Sequence, residues 1–538
     1  MTRKDLLIGI CIFLSALFLR LWQVNSEAIN PDEYHWHDRT NLFYHAIEEG
    51  RLQDTMTAGH PGATVTWQSM LSLRTLRHVY RLFDPTFDYQ SYPYLPSTFD
   101  RVHFAYVLPI ILITSLFIAF SYFALKQLTN QNFAIISSLL VLSNVYFLAH
   151  SRVVQMDALQ TSFIIASILT ALLFHQSKKK AWFLATGILL GLNVMTKIYG
   201  LSILPILWLI LCWGDLKVLV AQRTPKPLVA VVRKTFFIIL ISCLISVLLL
   251  PAWVFNFSHT LDAFYTAIFE EGLKGAWEGN EFFWGQIRLN GEPRIFYLLV
   301  LWFRQSLISF IALPLTLFLL LKNKIGDVRI RHLTQVFLFS AVYWTLILSI
   351  PNKKEDRYIL ETIVLLDIVS AGGLYWLYQN IKTRFANSFI FHKAYFIYLL
   401  TLLIFTFPFL ISSRGLGYEY LGYYNPLLGG NTSAVRYIRV GWGEGLRNVT
   451  SFFNSLEDVE NIRVSSWYEG ALAPNCLCEV RPTFRYRDED VKYVVYYVNQ
   501  MQRQKEKVMT DKYFNPDDVV FESKIRGLTY AWVVKKPK

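Results

Sequence analysis

A helix must run for about 20 apolar residues to cross the hydrocarbon core of a bilayer, and this chain meets that requirement again and again. Approximate spans fall at residues 6–24, 103–125, 132–149, 158–175, 182–196, 199–213, 235–255, 296–321, 333–350, 358–380 and 394–412. Backbone surrounded by lipid has to satisfy its own hydrogen bonds, so such runs fold as helices. The expected fold is therefore an all-α polytopic membrane protein with roughly eleven transmembrane helices. Composition agrees: 54% of the 538 residues are hydrophobic and 17% are charged, too apolar a balance for a soluble chain of this length.

The net charge of +13 raises nucleic acid as a partner. The Lys and Arg residues sit in short clusters between apolar runs, however, where they orient spans, and nucleic-acid binding is set aside. Residues 182–213 are nearly continuous in apolarity and are broken only at Lys197, Gly200 and Pro205. Reading them as a hairpin puts Lys178, Lys179 and Lys180 on the same side as Lys217, Arg223, Lys226, Arg233 and Lys234. By the positive-inside rule that side is cytoplasmic, as is the N-terminus. The same parity places Lys322, Lys324, Arg329, Arg331 and then Lys382, Arg384 and Lys393 inside, and the C-terminal region outside. Residues 6–24 follow Arg3 and Lys4 and read as a retained anchor, since Arg20 and Trp22 suit the outer boundary of a span. Cys11, Cys212 and Cys243 lie inside apolar runs, and Cys476 and Cys478 are badly spaced for a bridge, so neither a disulfide framework nor a zinc pattern is expected.

Three stretches stay long and more polar: 25–102, 256–295 and 413–538. They divide the chain into a membrane region, 1–412, with outer loops 25–102 and 256–295, and a small extracytoplasmic α/β domain, 413–538. In that domain 462–467, 491–498, 519–523 and 529–534 read as short strands and 444–456 as a helix.

Charges that break the rules of a membrane boundary are the place to look for function. Asn30-Pro31-Asp32-Glu33 follows the first span. A carboxylate there can act as general base for an acceptor hydroxyl, which is a poor nucleophile until its proton is taken; a solvated loop with Asp32 as a helix N-cap is the plainer alternative. His60-Pro61-Gly62 separates an expected helix at 37–50 from one at 65–76, and either turns a histidine into a polar cleft or is only a loop. Residues 151–157 form the whole outer connection between the third and fourth spans, so Arg152 and Asp157 are held at the bilayer surface, as a mutual salt bridge or as ligands. Lys197 is the hairpin tip. The run Lys353-Lys354-Glu355-Asp356-Arg357-Tyr358 sets three cations where the positive-inside rule predicts few. One of them could snorkel. Together with Arg152 and Lys197 they fit a bound anion better, and a lipid phosphate is the anion at that depth, with an anionic phospholipid as the rival. Assembled, these parts describe a transferase: a lipid tail between helices, its phosphate clamped by Arg and Lys, and its sugar presented to Asp32. The same cations would stabilise the charge left on the phosphate, and displacement from the far face would invert the anomeric centre.

Taken in chain order, these residues resemble the polyprenyl-phosphate-sugar-dependent transferases of the GT-C fold, above all the protein O-mannosyltransferases of glycosyltransferase family 39 and their bacterial relatives. Asp32-Glu33-Tyr34-His35 with His60-Pro61-Gly62 is similar to the family's Asp-Glu pair and later His-Pro-Pro. Ser151-Arg152 with Asp157 looks like its Ser-Arg-four-residues-Asp element, Met195-Thr196-Lys197 like its Thr-Lys turn, and 354–358 like its basic-Arg-Tyr segment. Residues 423–430 and Val440-Gly441-Trp442-Gly443-Glu444-Gly445 resemble a stretch of many bacterial members. The resemblance implies Asp32 as the catalytic base, Glu33 assisting in acceptor binding and Arg152 on the lipid phosphate. Lys197, Lys353, Lys354 and Arg357 are expected to join Arg152 there, with His60, Asp157 and Tyr358 as further substrate contacts.

Gly62 stands where the mannosyltransferases usually have a second Pro, and nothing in the sequence reads as the β-trefoil repeats of eukaryotic members. A bacterial or archaeal cell membrane is therefore expected. The donor is expected to be a polyprenyl-phosphate-linked hexose or pentose, and the acceptor is left open among a protein Ser/Thr hydroxyl, an envelope glycan and a glycolipid such as lipid A. No cofactor is expected, since family members act without a metal, although Glu270, Glu271, Glu278 and Glu281 keep a metal open. The alternative class is a transporter or flippase for a lipid-linked anion, which would want polar residues at mid-membrane and internal repeats.

Overall fold

The computed structural model describes residues 2–87, 96–222, 226–275, 279–289, 291–384, 409–483, 490–505, 507, 510 and 514–536. In chain order the helices of the bundle are α1 (Arg3–Leu21), α2 (Pro31–Glu48), α3 (Ala63–Phe83), α4 (Pro96–Leu128), α5 (Gln131–Leu142), α6 (Val145–His150), α7 (Asp157–Ser177), α8 (Lys180–Thr196), α9 (Leu204–Gln222), α10 (Lys226–Leu249), α11 (Phe257–Tyr265), α12 (Phe296–Arg304), α13 (Leu307–Leu321), α14 (Val328–Ser349) and α15 (Leu360–Arg384). Among the described residues seven of these, α1, α4, α7, α9, α10, α14 and α15, are long and apolar enough to cross a membrane with their adjoining turns, and α5 and α8 are shorter apolar helices. The chain is an integral membrane protein. α7 and α15 are the most enclosed spans; α7 packs on α4, α8 and α9, and α15 on α5, α13 and α14.

Two expected spans are broken. The run 132–149 divides into α5 and α6, because Asn144 recaps the chain by accepting from Phe147 N at 2.9 Å. The run 296–321 divides into α12 and α13, which meet at 117°. One buried carboxylate serves both breaks: Asp367 of α15 accepts from Asn144 Nδ2 (2.7 Å), Gln305 Nε2 (2.9 Å), Ser306 Oγ (3.2 Å) and Ser309 Oγ (2.5 Å). The eleventh expected span, 394–412, lies outside the described residues as far as 408, as do Arg223, Lys393 and Glu278.

Lys178 caps the end of α7, Lys180 opens α8 and Lys226 opens α10, while Lys234 reaches back to Asp215 of α9 at 2.5 Å. These basic groups therefore share the end of the bundle remote from α2. At the α2 end, Asn30 and not Asp32 is the helix cap: its Oδ1 accepts from Asp32 N and Glu33 N, and Glu33 Oε2 takes the Asn30 N–H in return. With Pro31 at the first helical position, α2 starts six residues earlier than periodicity alone suggested.

The C-terminal region rests on that same end. It contains α16 (Leu446–Asn454), α17 (Val498–Gln502) and the strands β3 (Arg463–Ser466), β4 (Glu479–Pro482), β5 (Tyr493–Tyr497), β6 (Val519–Ile525) and β7 (Leu528–Lys535); a separate hairpin, β1 (Glu281–Phe283) with β2 (Gln286–Arg288), lies between α11 and α12. The sheet order is β4-β3-β5-β7-β6, with β3 parallel to both neighbours and the other pairs antiparallel. β4 was not expected from the sequence. Cys476 and Cys478 just before it form a disulfide, contrary to expectation, because the turn at Leu477 brings their Cα atoms to 5.1 Å, inside the normal reach of a bridge. Asn425 N donates to Phe303 O (2.6 Å), Tyr423 Oη to Gln305 O (3.1 Å) and Arg447 Nη2 to Asp100 Oδ2 (3.0 Å), which docks this region on α12 and α4.

Candidate functional site

Asp32 sits in the first turn of α2, and its Oδ2 accepts from Arg357 Nη2 at 3.0 Å and from Gln155 Nε2 at 3.2 Å. Arg357 Nε lies 3.7 Å from Asp157 Oδ2, and Asp157 Oδ1 holds Lys197 Nζ at 2.5 Å. Four segments far apart in sequence thus supply one line of alternating charge, Asp32, Arg357, Asp157, Lys197. Alternation is what makes the line tolerable, since a buried charge that loses its partner costs several kcal/mol. Lys197 Nζ also lies 4.2 Å from the centre of the Tyr358 ring and donates to Tyr199 Oη at 3.2 Å. Asp157 and Lys197 are buried, whereas the Asp32 side chain keeps 34% of its surface exposed and is the acid of the line open to a ligand.

Two cavities of different character meet where Arg357, which lines one, is followed in the chain by Tyr358, which lines the other. On the Asp32 side is a polar cavity of about 220 Å³, whose walls include Arg304, Arg357, Trp442 and Trp467. On the other side is a cavity of about 490 Å³ lined mainly by apolar groups such as Ile198, Leu204, Ile268 and Leu348, with His60, Tyr199, Ser202, Glu271, Tyr297, Lys353 and Tyr358 as its polar points. Arg357 faces the first and its neighbour Tyr358 the second. His60 carries a buried Nδ1 with no partner among the described residues. Burial, and then Lys197, Lys353 and Arg39, push its pKa down to about 3, so the imidazole is neutral.

Three of the expected site residues point elsewhere. Arg152 lines neither cavity: its buried guanidinium lies 2.8 Å from Glu27 Oε1 and donates to Trp22 O (2.8 Å) and Gln23 O (3.1 Å), carbonyls just past the end of α1. Nor does it pair with Asp157. Lys354 donates to Glu292 O at 3.1 Å and to Pro351 O, and it too lines neither cavity. Glu33 is buried behind Asp32, where it accepts from Val154 N (2.7 Å) and ties α2 to the 151–157 turn; burial pushes its pKa up to about 8. Among the carboxylates that kept a metal open, Glu270 pairs with Lys274 (2.7 Å) and Glu281 with Arg439 (2.7 Å), and among the described residues no three His, Cys, Asp or Glu side chains converge as metal ligands.

Several cavity residues escaped the sequence reading. Arg304 donates to Asp356 Oδ2 (2.5 Å), Leu421 O (2.8 Å) and Tyr424 Oη (2.9 Å), and its guanidinium carbon lies 3.8 Å from the centre of the Tyr424 ring. The signal was available, since an arginine inside an apolar run is a functional flag. Arg439, Trp467 and Arg503 went unseen, and Trp442 was noted in a motif without a role at the site, because the region that carries them reads as separate from the bundle. Trp442 is delivered by a turn in which Gly441, Gly443 and Gly445 have φ of +95°, +118° and +82°. A Cβ on Gly443 would stand 2.8 Å from Ile29 O, so only glycine lets this turn lie on the Asn30 cap. The Trp442 ring then lies 4.3 Å from the Arg357 guanidinium carbon.

The family model for dolichyl-phosphate-mannose-protein mannosyltransferase matches residues 72–265, a stretch that includes Arg152, Asp157 and Lys197 but not Asp32, His60 or Arg357. No curated protein matches the chain. Among solved structures, ArnT from Cupriavidus metallidurans bound to undecaprenyl phosphate is similar with a TM-score of 0.51 at 13% identity, covering 99% of this chain and 98% of that one. Its apo state gives 0.51 at 12% identity, over 98% and 97%. The apo oligosaccharyltransferase of Archaeoglobus fulgidus gives 0.47 at 12% identity, over 92% of this chain and 70% of that one. The chain has the GT-C fold.

Proposed function

We propose that this chain is a glycosyltransferase that moves a sugar from a polyprenyl-phosphate donor to an acceptor hydroxyl, with Asp32 as general base. The observation that carries the reading is the position of Asp32 on a partition between a polar and an apolar cavity. The donor is an amphipathic anion, and the apolar cavity suits its tail. Lys353, Tyr358 and neutral His60 are the groups there that can meet a phosphate, while Lys197 and Arg357 act on it from just behind the Tyr199 and Tyr358 rings. The undecaprenyl phosphate bound by the Cupriavidus metallidurans protein of the same fold supports a lipid-linked donor.

In the reaction the acceptor oxygen bonds to the anomeric carbon as the bond from that carbon to the phosphate oxygen breaks. The electron pair leaves with polyprenyl phosphate, and the hydroxyl proton passes to Asp32. Fixed cations near the phosphate lower the barrier because they meet charge that grows in the transition state. An acceptor approaching from the Asp32 side, opposite the phosphate, inverts the anomeric centre. Arg152 and Glu33 act as positioning residues for α1 and α2. The remoteness of the basic clusters from this site supports an extracytoplasmic active site.

Asp32→Asn should cut transfer by about 10²–10⁴-fold, the usual worth of general base catalysis, and leave donor-lipid binding intact. Transfer by the purified variant within a few-fold of wild type would remove Asp32 from the chemistry.

A further inference from the structure

The polar cavity has two walls, and the one supplied by the C-terminal region differs in chemistry from the one supplied by the bundle. Trp467 and Tyr468 leave the end of β3 as stacked rings, with centroids 4.8 Å apart and planes at 28°. Arg503 holds its guanidinium carbon 5.9 Å from the Trp467 ring centre and donates to Asn280 O (2.8 Å) and Glu281 Oε1 (2.5 Å). Arg439 links Glu281 (2.7 Å) to Glu355. Buried polar atoms that line the cavity and have no hydrogen-bond partner among the described residues include Asn499 Oδ1, whose amide nitrogen is spent on Gly441 O, Tyr146 Oη and both ring nitrogens of His150.

The charges of the lining cancel. Its arginines are Arg304, Arg357, Arg439 and Arg503, and its carboxylates are Asp32, Glu355, Asp356 and Glu444. A site built for a phosphorylated or otherwise anionic acceptor would carry a surplus of cations. Instead, rigid donors and acceptors surround a pair of flat rings, the pattern that suits a neutral polyol: pyranose C–H faces pack on aromatic rings, while hydroxyls take hydrogen bonds both ways. A peptide acceptor bound by strand addition would pair its backbone along a strand edge, and no strand residue lines the cavity among the described residues. The volume of about 220 Å³ is also below the several hundred Å³ of sites for drug-sized ligands, room for little more than one ring.

We infer that the acceptor is an uncharged saccharide, docked on Trp467 and Tyr468 so that one of its hydroxyls meets Asp32. This rests on the transferase reading and names its acceptor class. The nucleophile is a sugar hydroxyl, its proton goes to Asp32, and polyprenyl phosphate leaves with the electron pair.

Binding tests the assignment without turnover. Methyl α-mannoside, lactose and N,N′-diacetylchitobiose, a neutral Ser/Thr peptide and glucosamine 6-phosphate would be titrated against the full-length protein in detergent by saturation-transfer NMR. At least one neutral saccharide should bind, at least tenfold more weakly to Trp467→Ala, with affinity partly restored in Trp467→Phe, which keeps a ring and checks folding, and within twofold of wild type to Trp213→Phe at the far end of the bundle. In transfer assays Trp467→Ala should raise the saccharide KM by the same factor with kcat little changed. Binding indifferent to Trp467, or binding of only the peptide or the phosphorylated sugar, would overturn the inference. So would displacement of the saccharide by a polyprenyl-phosphate sugar, which would make this the donor's own sugar pocket. Transfer to a peptide without saccharide binding would sink the acceptor assignment alone, whereas saccharide binding without consumption of any lipid-linked sugar would sink the transferase reading on which it rests.

Discussion

Arg152 and His60 show how a side chain's surroundings decide its work. Arg152 is surrounded by Glu27 and the last carbonyls of α1, so Arg152→Ala strands a buried carboxylate. It should cost about 3–5 kcal/mol, the range for breaking a buried pair, and leave the donor KM of the surviving protein within about twofold, as thermal unfolding and kinetics would record. A large rise in donor KM at unchanged stability would return Arg152 to the phosphate. His60 has a folded-state pKa of about 3 against an ordinary 6.5, so protonation favours the unfolded chain. Its contribution is complete above 6.5 and is lost as pH falls toward 3, at up to about 1.4 kcal/mol per pH unit. His60→Asn, which cannot take up that proton, should lose less stability than wild type between about pH 7 and 4; parallel losses would mean that the imidazole titrates as in water. At this scale the sequence was informative about charge and silent about partners. Asp32, Asp157, Lys197 and Arg357 stood out as ions at a membrane boundary, and so did Arg152, because nothing in the order of residues reveals that Glu27 folds back beneath it.

At the scale of elements, apolar length found the spans, but it could not find the two breaks. A helix is interrupted inside a membrane where side chains take over the backbone's hydrogen bonding, and the carboxylate that makes this possible, Asp367, lies more than 50 residues from the α12–α13 bend. The same carboxylate is the mid-bundle polar group that a transporter would display, yet its four donors leave it fully occupied. The Gly441–Gly445 turn was legible as a motif and not as a device, because the Asn30 cap it covers comes some 400 residues earlier. Gly443→Ala tests it. The strained φ should cost about 1–3 kcal/mol, and the collision with Ile29 O should move Trp442 off Arg357, so transfer should fall by at least tenfold while the donor lipid still binds. Full activity with a lowered Tm would reduce the turn to a structural hinge.

The whole molecule sets two compartments of opposite character against a common wall. That wall is thin: consecutive residues of one turn, Arg357 and Tyr358, face opposite chambers, and Asp157 and Lys197 brace them from behind. A ligand that pulls on one face should displace the other, and linkage requires any such effect to be mutual. Filling the greasy chamber with polyprenyl phosphate should change the affinity for a saccharide in the wet one, and the saccharide should change lipid affinity by the same factor, which calorimetry run in both orders of addition can measure. Equal affinities in either order, with and without the companion, would mean a rigid wall; a common factor would make this enzyme a cooperative pair of sites in a single chain.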